Sequence, residues 1–242
     1  MKYKAAMRSS KGGRKNNEDY AGYLRRGGYG CYVLADGLGG HYGGDLASKT
    51  ACKNILASFK KRPGSSVECL NNYLQSASRA MEDLKKRVGQ HDGLKTTLVV
   101  LLTGSNRATW AHVGDSRLYH FKSGQIAFQT RDHSLPQRLV DIGEITVDQV
   151  RHHDDRNRLL RVFDGKDSSR FTFLNKMVPV ERHDAFLLCS DGFWEYIYET
   201  EMEEDLKGCP SPAAWISRME KRVLGRAEAK HDNYTALAVM AR

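Results

Sequence analysis

Four aspartates in this sequence lie next to short apolar stretches that are rich in strand-forming residues. A single aspartate in such a place is ordinary turn chemistry. Several carboxylates that converge at strand ends repel one another unless cations neutralise them, so the pattern predicts two or more divalent ions held by carboxylate, carbonyl and water oxygens. The sequence contains neither C-x-x-C nor H-E-x-x-H, which disfavours zinc. The four candidate ligands are Asp36, Asp115, Asp191 and Asp232.

The motif around Asp36 carries the strongest signal. The apolar run 32–35 ends at this carboxylate, and a glycine-rich run follows over residues 37–44. Glycine lets the backbone bend sharply and bring its carbonyl groups close to an ion or a phosphate. Asp-Gly is also a common hairpin turn, so the motif alone leaves a metal ligand and a plain turn as equal alternatives. The same form, an apolar strand and then Asp-Gly, recurs at Asp191.

A basic and acidic motif near the start of the chain supplies the other candidate groups. Arg14 is followed closely by Glu18 and Asp19. An arginine can hold a phosphate through two parallel hydrogen bonds, which a lysine cannot do. Glu18 and Asp19 offer hard oxygen ligands, or acceptors for metal-bound water, of the kind that Mg²⁺ and Mn²⁺ prefer. The alternative for an isolated sequence is a surface ion-pair cluster.

Hydrophobic spacing predicts the elements that position these residues. Helical periodicity predicts packing helices over residues 45–61 and 70–88, and Ser211-Pro212 marks the start of another helix. Between residues 136 and 164, helix-like pieces alternate with polar segments, which indicates short helices and a mobile flap over a site. The predicted strands include residues 96–102, 108–113, 171–174, 185–189 and 236–240.

Several conspicuous residues in this region are interpreted structurally. His152 and His153 are adjacent and cannot readily face one site, so a solvated loop is favoured over a metal site. Asp132 and His133 are interpreted as residues that fix a turn. For Val162, Phe163 and Phe171, core packing is favoured over a role in choosing substrates.

The composition indicates a soluble globular protein rather than a disordered or membrane protein, and residues 1–242 are interpreted as one domain. The formal net charge is +9, but the acidic residues fall in motifs while the basic residues are spread along the chain. We therefore expect a basic shell that attracts a phosphorylated substrate, with no nucleic-acid partner and no membrane insertion. The first 17 residues lack the apolar core of a signal peptide, and five scattered cysteines form no C-x-x-C pair, which predicts a cytoplasmic location.

Taken in order, these motifs resemble the PPM family, the metal-dependent Ser/Thr protein phosphatases of the protein phosphatase 2C type. The resemblance spans residue 14 to about residue 240, and the compact chain resembles the bacterial branch of the family. The motifs that carry it are Arg14…Asn17-Glu18-Asp19, Ala35-Asp36-Gly37-x-Gly39-Gly40-His41, Val113-Gly114-Asp115-Ser116-Arg117, Cys189-Ser190-Asp191-Gly192 and Asp232-Asn233-x-Thr235.

The resemblance implies an α+β fold, an α-β-β-α sandwich of two packed antiparallel sheets flanked by helices. It implies two Mn²⁺ or Mg²⁺ ions and a third, weaker site, with hydrolysis of phosphoserine and phosphothreonine monoesters by a metal-bridging water. The substrate would be a phosphorylated protein, in opposition to a Ser/Thr protein kinase. The implied roles are a bridging ligand for Asp36, a carbonyl ligand for Gly37, completion of the metal shell for Asp191 and Asp232, water binding for Glu18 and Asp19, the third site for Asp115 with Asp191, and phosphate binding for Arg14.

Two positions depart from the family pattern. Many eukaryotic members have a histidine proposed as general acid two residues after the bridging aspartate, whereas this chain has Leu38. His41 is an alternative that ranks below a structural role. The family's Gly-Thr-Thr is replaced here by Lys95-Thr96-Thr97. Two other functions compete with the phosphatase: a two-metal phosphodiesterase or nuclease, and a catalytically silent phosphoprotein-binding module.

Overall fold

The computed structural model describes residues 1–38, 43–89, 93–166, 170–174 and 176–242. Its strands are β1 (Tyr3–Ser10), β2 (Tyr20–Arg26), β3 (Tyr29–Ala35), β4 (Gly37–Leu38), β5 (Lys95–Thr96), β6 (Leu98–Gly104), β7 (Arg107–Val113), β8 (Arg117–Lys122), β9 (Gln125–Gln129), β10 (Thr172–Phe173), β11 (Val178–Pro179), β12 (Ala185–Cys189) and β13 (Tyr234–Ala241). Its helices are α1 (Gly44–Lys61), α2 (Val67–Val88), α3 (Leu135–Asp141), α4 (Val147–Val150), α5 (Asp191–Trp194), α6 (Glu199–Leu206) and α7 (Pro212–Arg226).

The strands form two antiparallel sheets. Sheet I has the order β1-β13-β12-β8-β9, and sheet II has the order β10-β7-β6-β3-β2 with β11 also paired to β7. The short strands β4 and β5 pair with each other. In sheet I, β1 pairs with β13 over its whole length, from Tyr3 opposite Ala241 to Ser10 opposite Tyr234. Strands from the two ends of this sequence are therefore neighbours.

Apolar side chains form three buried layers. One lies between the sheets, one lies between sheet II and helices α1 and α2, and one lies between sheet I and helices α6 and α7. This arrangement confirms the α+β class and the α-β-β-α sandwich. Representative buried residues are Leu34, Trp110 and Phe186 between the sheets, Ile55 and Met81 under α1 and α2, and Trp215 and Met219 under α7.

Local sequence signals account for the helix boundaries. The Ser66 hydroxyl accepts a hydrogen bond from the Cys69 amide and begins α2. Gly89 then ends this helix in the left-handed region, at φ 66°. Ser211 caps α7 in the same way as Ser66 caps α2, with a proline at the first helical position. The predicted helix over 45–61 is confirmed as α1, and the predicted helix over 70–88 begins three residues earlier.

The structure divides one predicted strand. The run 96–102 was expected to be continuous, but Thr97 leaves the ladder between β5 and β6. Its amide donates to the Asp36 carbonyl oxygen at 2.8 Å, and its hydroxyl accepts from the Asp36 amide at 2.9 Å. This interruption therefore holds the backbone at Asp36.

Within the described ranges, no helix is both long and apolar enough to cross a membrane.

Candidate active site

The backbone on both sides of Asp36 is fixed by neighbouring segments. Thr97 bonds to both the amide and the carbonyl of Asp36, and the Thr96 hydroxyl donates to the same carbonyl at 2.7 Å. The next amide, of Gly37, donates to the Glu18 carbonyl at 3.1 Å. Because every backbone partner is supplied from elsewhere in the fold, the Asp36 side chain leaves the sheet in a defined direction.

Two glycines allow the chain to pass closely beside Asp36. A Cβ atom on Gly37 would lie 2.2 Å from the Gly44 carbonyl oxygen, which is a severe clash with backbone. A Cβ atom on Gly44 would lie 2.8 Å from Oε2 of Glu18. Gly37 and Gly44 therefore allow the start of α1, the Asp36 turn and the Glu18 carboxylate to lie close together.

Asn233 ties the segment that carries Glu18 to the start of β13. Its Oδ1 accepts from the Glu18 amide at 2.7 Å, and its Nδ2 donates to the Lys11 and Asn16 carbonyls at 2.9 Å. This buried amide bridges parts of the chain more than 210 residues apart. Sequence reasoning missed it, although its place in the Asp232-Asn233-x-Thr235 motif was the available signal.

Asp19 is held by the strand that precedes Asp191. The Ser190 hydroxyl donates to Asp19 Oδ2 at 2.8 Å and accepts from the Thr235 amide at 2.9 Å. The other carboxylate oxygen, Oδ1, is buried and has no hydrogen-bond partner among the described residues. A buried acceptor left in this state costs free energy unless something outside the polypeptide binds it.

Asp115 and Asp191 lie where β7 ends and where α5 begins. Asp115 is buried, and its carbonyl oxygen accepts from Nε1 of Trp194 at 3.0 Å. The Asp191 carboxylate accepts from the Gly192 amide. A side chain at Gly192 would clash with the Asn233 carbonyl, since a Cβ atom would lie 2.1 Å from it. The turns that carry Asp191 and Asp232 are therefore in close contact.

The aspartates act electrostatically as one cluster. Burial, and then repulsion from Asp19, Asp191 and Asp115, raises the pKa of Asp36 well above its ordinary value. Burial and the Asp191 charge do the same for the pKa of Asp115. Burial raises the pKa of Asp19 to about 7. For Asp191, burial and then the Asp232 charge raise the pKa.

Arg14 lies at the rim of this cluster. Its Nη2 is 2.7 Å from Oδ2 of Asp232, and both side chains are about half exposed, at 57% and 44%. An exposed ion pair of this kind contributes little to stability, so it exchanges readily for another anion. The guanidinium is thus available to a phosphate that enters the site.

The donor set fits divalent metal ions. It consists of carboxylates and a close backbone turn, without thiolates, as Mn²⁺ and Mg²⁺ prefer. The unpartnered Oδ1 of Asp19 and the mutually raised pKa values show a site that is rich in lone pairs and poor in cations. In the described part of the chain, no three acidic, histidine or cysteine side chains form a preassembled ligand shell. Backbone carbonyls and water are the other oxygen ligands that such ions take.

The remaining predicted residues fall outside this cluster. Asp132 and His133 have structural partners: Asp132 binds Arg117, and His133 Nδ1 accepts from the Gly114 amide at 3.2 Å. Phe163 and Phe171 are buried in the layer under α1 and α2, as expected. His152 is exposed on a loop. Gly39, Gly40 and His41 lie outside the described residues.

A buried arginine cluster behind Asp115 was not expected from the sequence. Arg117 donates through Nε and Nη2 to both oxygens of Asp132, at 2.9 and 2.8 Å. Its guanidinium lies 3.4 Å from the ring centroid of Trp194, the residue that binds the Asp115 carbonyl. Arg151 donates to both oxygens of Glu199, which also accepts from Arg117. The cluster stabilises the turn that presents Asp115.

Comparisons with known proteins agree with this geometry. The family model described as protein phosphatase 2C matches residues 8–233. The chain is 33% identical over 205 residues to the serine/threonine phosphatase Stp of Listeria monocytogenes, which covers 80% of this chain and 79% of that protein. The crystal structure of the Mycobacterium tuberculosis serine/threonine phosphatase PstP/Ppp superposes with a TM-score of 0.84 at 29% identity, over 99% of both chains.

A second structure of the PstP catalytic domain, with 2 manganese ions, also has a TM-score of 0.84, at 28% identity over 98% of this chain and 97% of that one. The family model spans nearly the whole chain and includes every candidate ligand from Glu18 to Asp232. The chain therefore belongs to the protein phosphatase 2C family of metal-dependent serine/threonine phosphatases.

Proposed function

We propose that this protein hydrolyses phosphoserine and phosphothreonine monoesters in proteins, at the cluster formed by Asp36, Asp191, Asp232, Asp115 and Asp19. The observation that carries the proposal is the gathering of these carboxylates from five separate segments into one electrostatically coupled cluster. A fold does not keep such a cluster for stability, because each carboxylate opposes the ionisation of the others.

The residues present define where the ions would bind. Asp36 and the Gly37 carbonyl, with Asp191 and Asp232, would hold two Mn²⁺ or Mg²⁺ ions, and Asp115 with Asp191 would hold a third. The two manganese ions in the related PstP catalytic domain support this assignment. When bound, such ions lower the pKa of coordinated water and offset negative charge on a phosphoryl group.

The chain's own residues position the reactants. Arg14 would exchange Asp232 for the substrate phosphate and bind it through two parallel N–H groups. Glu18 and the free oxygen of Asp19 would accept hydrogen bonds from water and orient it. Leu38 has no acidic proton to donate, so the departing serine or threonine oxygen would take its proton from water in the cleft.

The proposal extends to the cellular setting. The substrate would be a phosphoprotein made by a Ser/Thr protein kinase, and the protein would act in the cytoplasm, where its five free thiols would stay reduced. Residues 1–242 would act as one domain, which the full-length pairing of β1 with β13 supports. A single cooperative unfolding transition would agree with one domain, and two separated transitions would contradict it.

The test is hydrolysis of a phosphothreonine peptide and of a phosphodiester by metal-stripped protein, with and without added Mn²⁺. The Asp36→Asn variant is the matched control. We expect phosphate release from the peptide only when Mn²⁺ is present, and loss of that release in the variant. Cleavage of the diester alone would instead assign a phosphodiesterase. Metal binding without turnover of either would leave a phosphoprotein-binding module.

A further inference from the structure

A cavity of about 710 Å³ has His133 in its wall, and His133 bonds to Gly114, the residue before Asp115. It opens between β9 at the edge of sheet I and the short strands β10 and β11 at the edge of sheet II. Residues from both sheets and from the loop that follows α4 line it. Nothing in the proposed hydrolysis uses this space.

The floor of the cavity is aromatic. Trp110 of β7 is buried, and its ring centroid lies 5.0 Å from that of Phe128 on β9. Phe128 itself is 38% exposed, and Phe173, Leu174 and Val178 complete the apolar wall. An exposed apolar surface of this kind, rimmed by polar groups, is typical of a site that binds a partner.

The rim of the cavity is cationic. Arg131 is paired with Asp141, whereas Arg161 and Lys176 make no ion pair with any described carboxylate. The Asp132 carboxylate in the wall is already neutralised by Arg117. Burial, and then the neighbouring His112 and Arg161 side chains, lowers the pKa of His133 to about 3, so this histidine is neutral at physiological pH. The two unpaired cations therefore set the sign of the potential at the rim.

The cavity and the aspartate cluster share one turn. His133, in the cavity wall, accepts from the Gly114 amide and donates its own amide to the Gly114 carbonyl at 2.9 Å. Gly114 directly precedes Asp115. The Arg161 amide is bonded in turn to the His133 carbonyl. A chain segment bound in the cavity would therefore contact His133, which is bonded directly to the turn that carries Asp115.

We propose that this cavity binds a segment of the phosphoprotein substrate in which an apolar side chain is flanked by aspartate or glutamate. The inference rests on the phosphatase function proposed above and adds a sequence preference to it. The apolar side chain would contact Phe128 and the Trp110 edge, and the acidic neighbours would pair with Arg161 and Lys176. Charge complementarity at the rim selects this occupant over a basic or purely apolar segment.

The test compares two sets of phosphothreonine peptides with p-nitrophenyl phosphate, a substrate too small to reach the cavity. In the acidic set, an Asp-Leu-Asp segment lies either before or after the phosphothreonine. In the basic set, a Lys-Leu-Lys segment takes the same positions. The variants are Arg161→Glu with Lys176→Glu, and separately Phe128→Ser. The control is Lys221→Glu, an exposed lysine on α7, a helix that contributes no residue to the cavity.

We expect the wild-type protein to favour an acidic peptide over its basic counterpart by roughly tenfold in kcat/KM, mainly through KM. The double variant Arg161→Glu with Lys176→Glu should lose or invert this preference. Phe128→Ser should lower kcat/KM for both the acidic and the basic peptides, relative to kcat/KM for p-nitrophenyl phosphate. Lys221→Glu should keep the wild-type ratios.

Equal kcat/KM for the two peptide sets in the wild-type protein would overturn the inference. Concentration-dependent dimerisation that is lost in Phe128→Ser would also overturn it, because the cavity would then belong to a second copy of the chain. Absence of any Mn²⁺-dependent turnover of p-nitrophenyl phosphate or either peptide set would count against the phosphatase function itself, which keeps the two failures distinct.

Discussion

Asp36 shows how one residue can be essential to a site and unfavourable to the fold. Its carboxylate is repelled by three other aspartates, and the pKa of each rises because burial disfavours the charged form. Its backbone amide and carbonyl, by contrast, are both hydrogen-bonded, the amide to Thr97 and the carbonyl to Thr97 and Thr96. Side-chain chemistry and backbone geometry are therefore separable at this position.

Substitution of Asp36 by asparagine tests that separation. We expect Asp36→Asn to lower kcat/KM on a phosphothreonine peptide by about 1,000-fold or more, because the shared ligand is lost. The metal-free variant should melt at a higher temperature than the metal-free wild type, since one repelling charge has gone. Calorimetry with and without Mn²⁺ measures both states. A lower melting temperature for the metal-free variant would contradict the repulsion argument.

Arg14 offers a second test at the scale of one residue. Arg14→Ala should raise KM for the phosphopeptide by about tenfold, because a two-pronged, charge-assisted contact is removed. Arg14→Lys should recover only part of this loss, since an ammonium cannot reproduce the parallel geometry. Steady-state kinetics at saturating Mn²⁺ distinguish the three proteins. Equal KM values for all of them would exclude phosphate binding by this side chain.

At the scale of elements, the turn after β7 depends on the buried pair between Arg117 and Asp132. Asp132→Ala should lower the free energy of unfolding by about 3–5 kcal/mol, because it leaves a buried guanidinium without its carboxylate. Urea denaturation gives this difference. The double variant Arg117→Met with Asp132→Leu should recover much of the loss. Similar destabilisation in the single and double variants would show that packing, rather than charge, explains the effect.

The contact between α6 and α7 predicts a pH dependence. Glu201 binds Arg226 and Arg222, and the hydrogen bond from Arg226 is the main cause that lowers its pKa to about 2. A carboxyl whose pKa is lower in the folded state stabilises the protein above its unfolded pKa, and this contribution disappears as the pH falls. Between pH 4.5 and pH 2, Glu201→Gln should therefore lose less stability than the wild type.

Chemical denaturation across that pH range measures the difference. Glu82→Gln, an exposed position on α2, is the matched control and should follow the wild-type curve. If Glu201→Gln also follows the wild-type curve, the ion pairs between α6 and α7 contribute nothing in acid.

The elements that sequence predicts well are those specified by local signals. Apolar spacing located α1, and Ser211-Pro212 located the start of α7. The split of the 96–102 strand could not be seen in the same way, because it depends on bonds between Thr97 and Asp36, about sixty residues away. The spacing of apolar residues in the sequence does not indicate hydrogen bonds between distant residues.

In the candidate site, too, local sequence signals could be predicted and long-range hydrogen bonds could not. The aspartates were predicted because each stands next to an apolar strand, and the resemblance to a known family ordered them into roles. The supporting residues were not predicted: Asn233, Ser190 and Trp194 act through hydrogen bonds to distant backbone or carboxylate atoms. Nothing in their immediate sequence surroundings requires those partners.

At the scale of the whole molecule, an excess of positive charge accompanies the cluster of aspartates. The formal net charge is +9, Arg14 pairs with Asp232 at the edge of the cluster, and Arg161 and Lys176 line the cavity. Acidic phosphopeptides should therefore approach a basic shell before they reach the site.

Salt tests this long-range attraction. From low to physiological ionic strength, kcat/KM for an acidic phosphopeptide should fall several-fold, whereas that for a neutral phosphopeptide should change less. Stopped-assay kinetics in NaCl at constant Mn²⁺ give both slopes. Parallel slopes for the two peptides would show that the shell does not guide substrates.

The pairing of β1 with β13 also governs when a newly made chain becomes competent. The ribosome releases the segment with Arg14, Glu18 and Asp19 early, but Asn233 and β13 fix that segment only after more than two hundred further residues have emerged. A nascent chain that ends before these residues lacks Asp232 and the Asn233 amide that holds the Glu18 segment. We therefore expect fragments that end before Asp232 to release no phosphate from a phosphothreonine peptide.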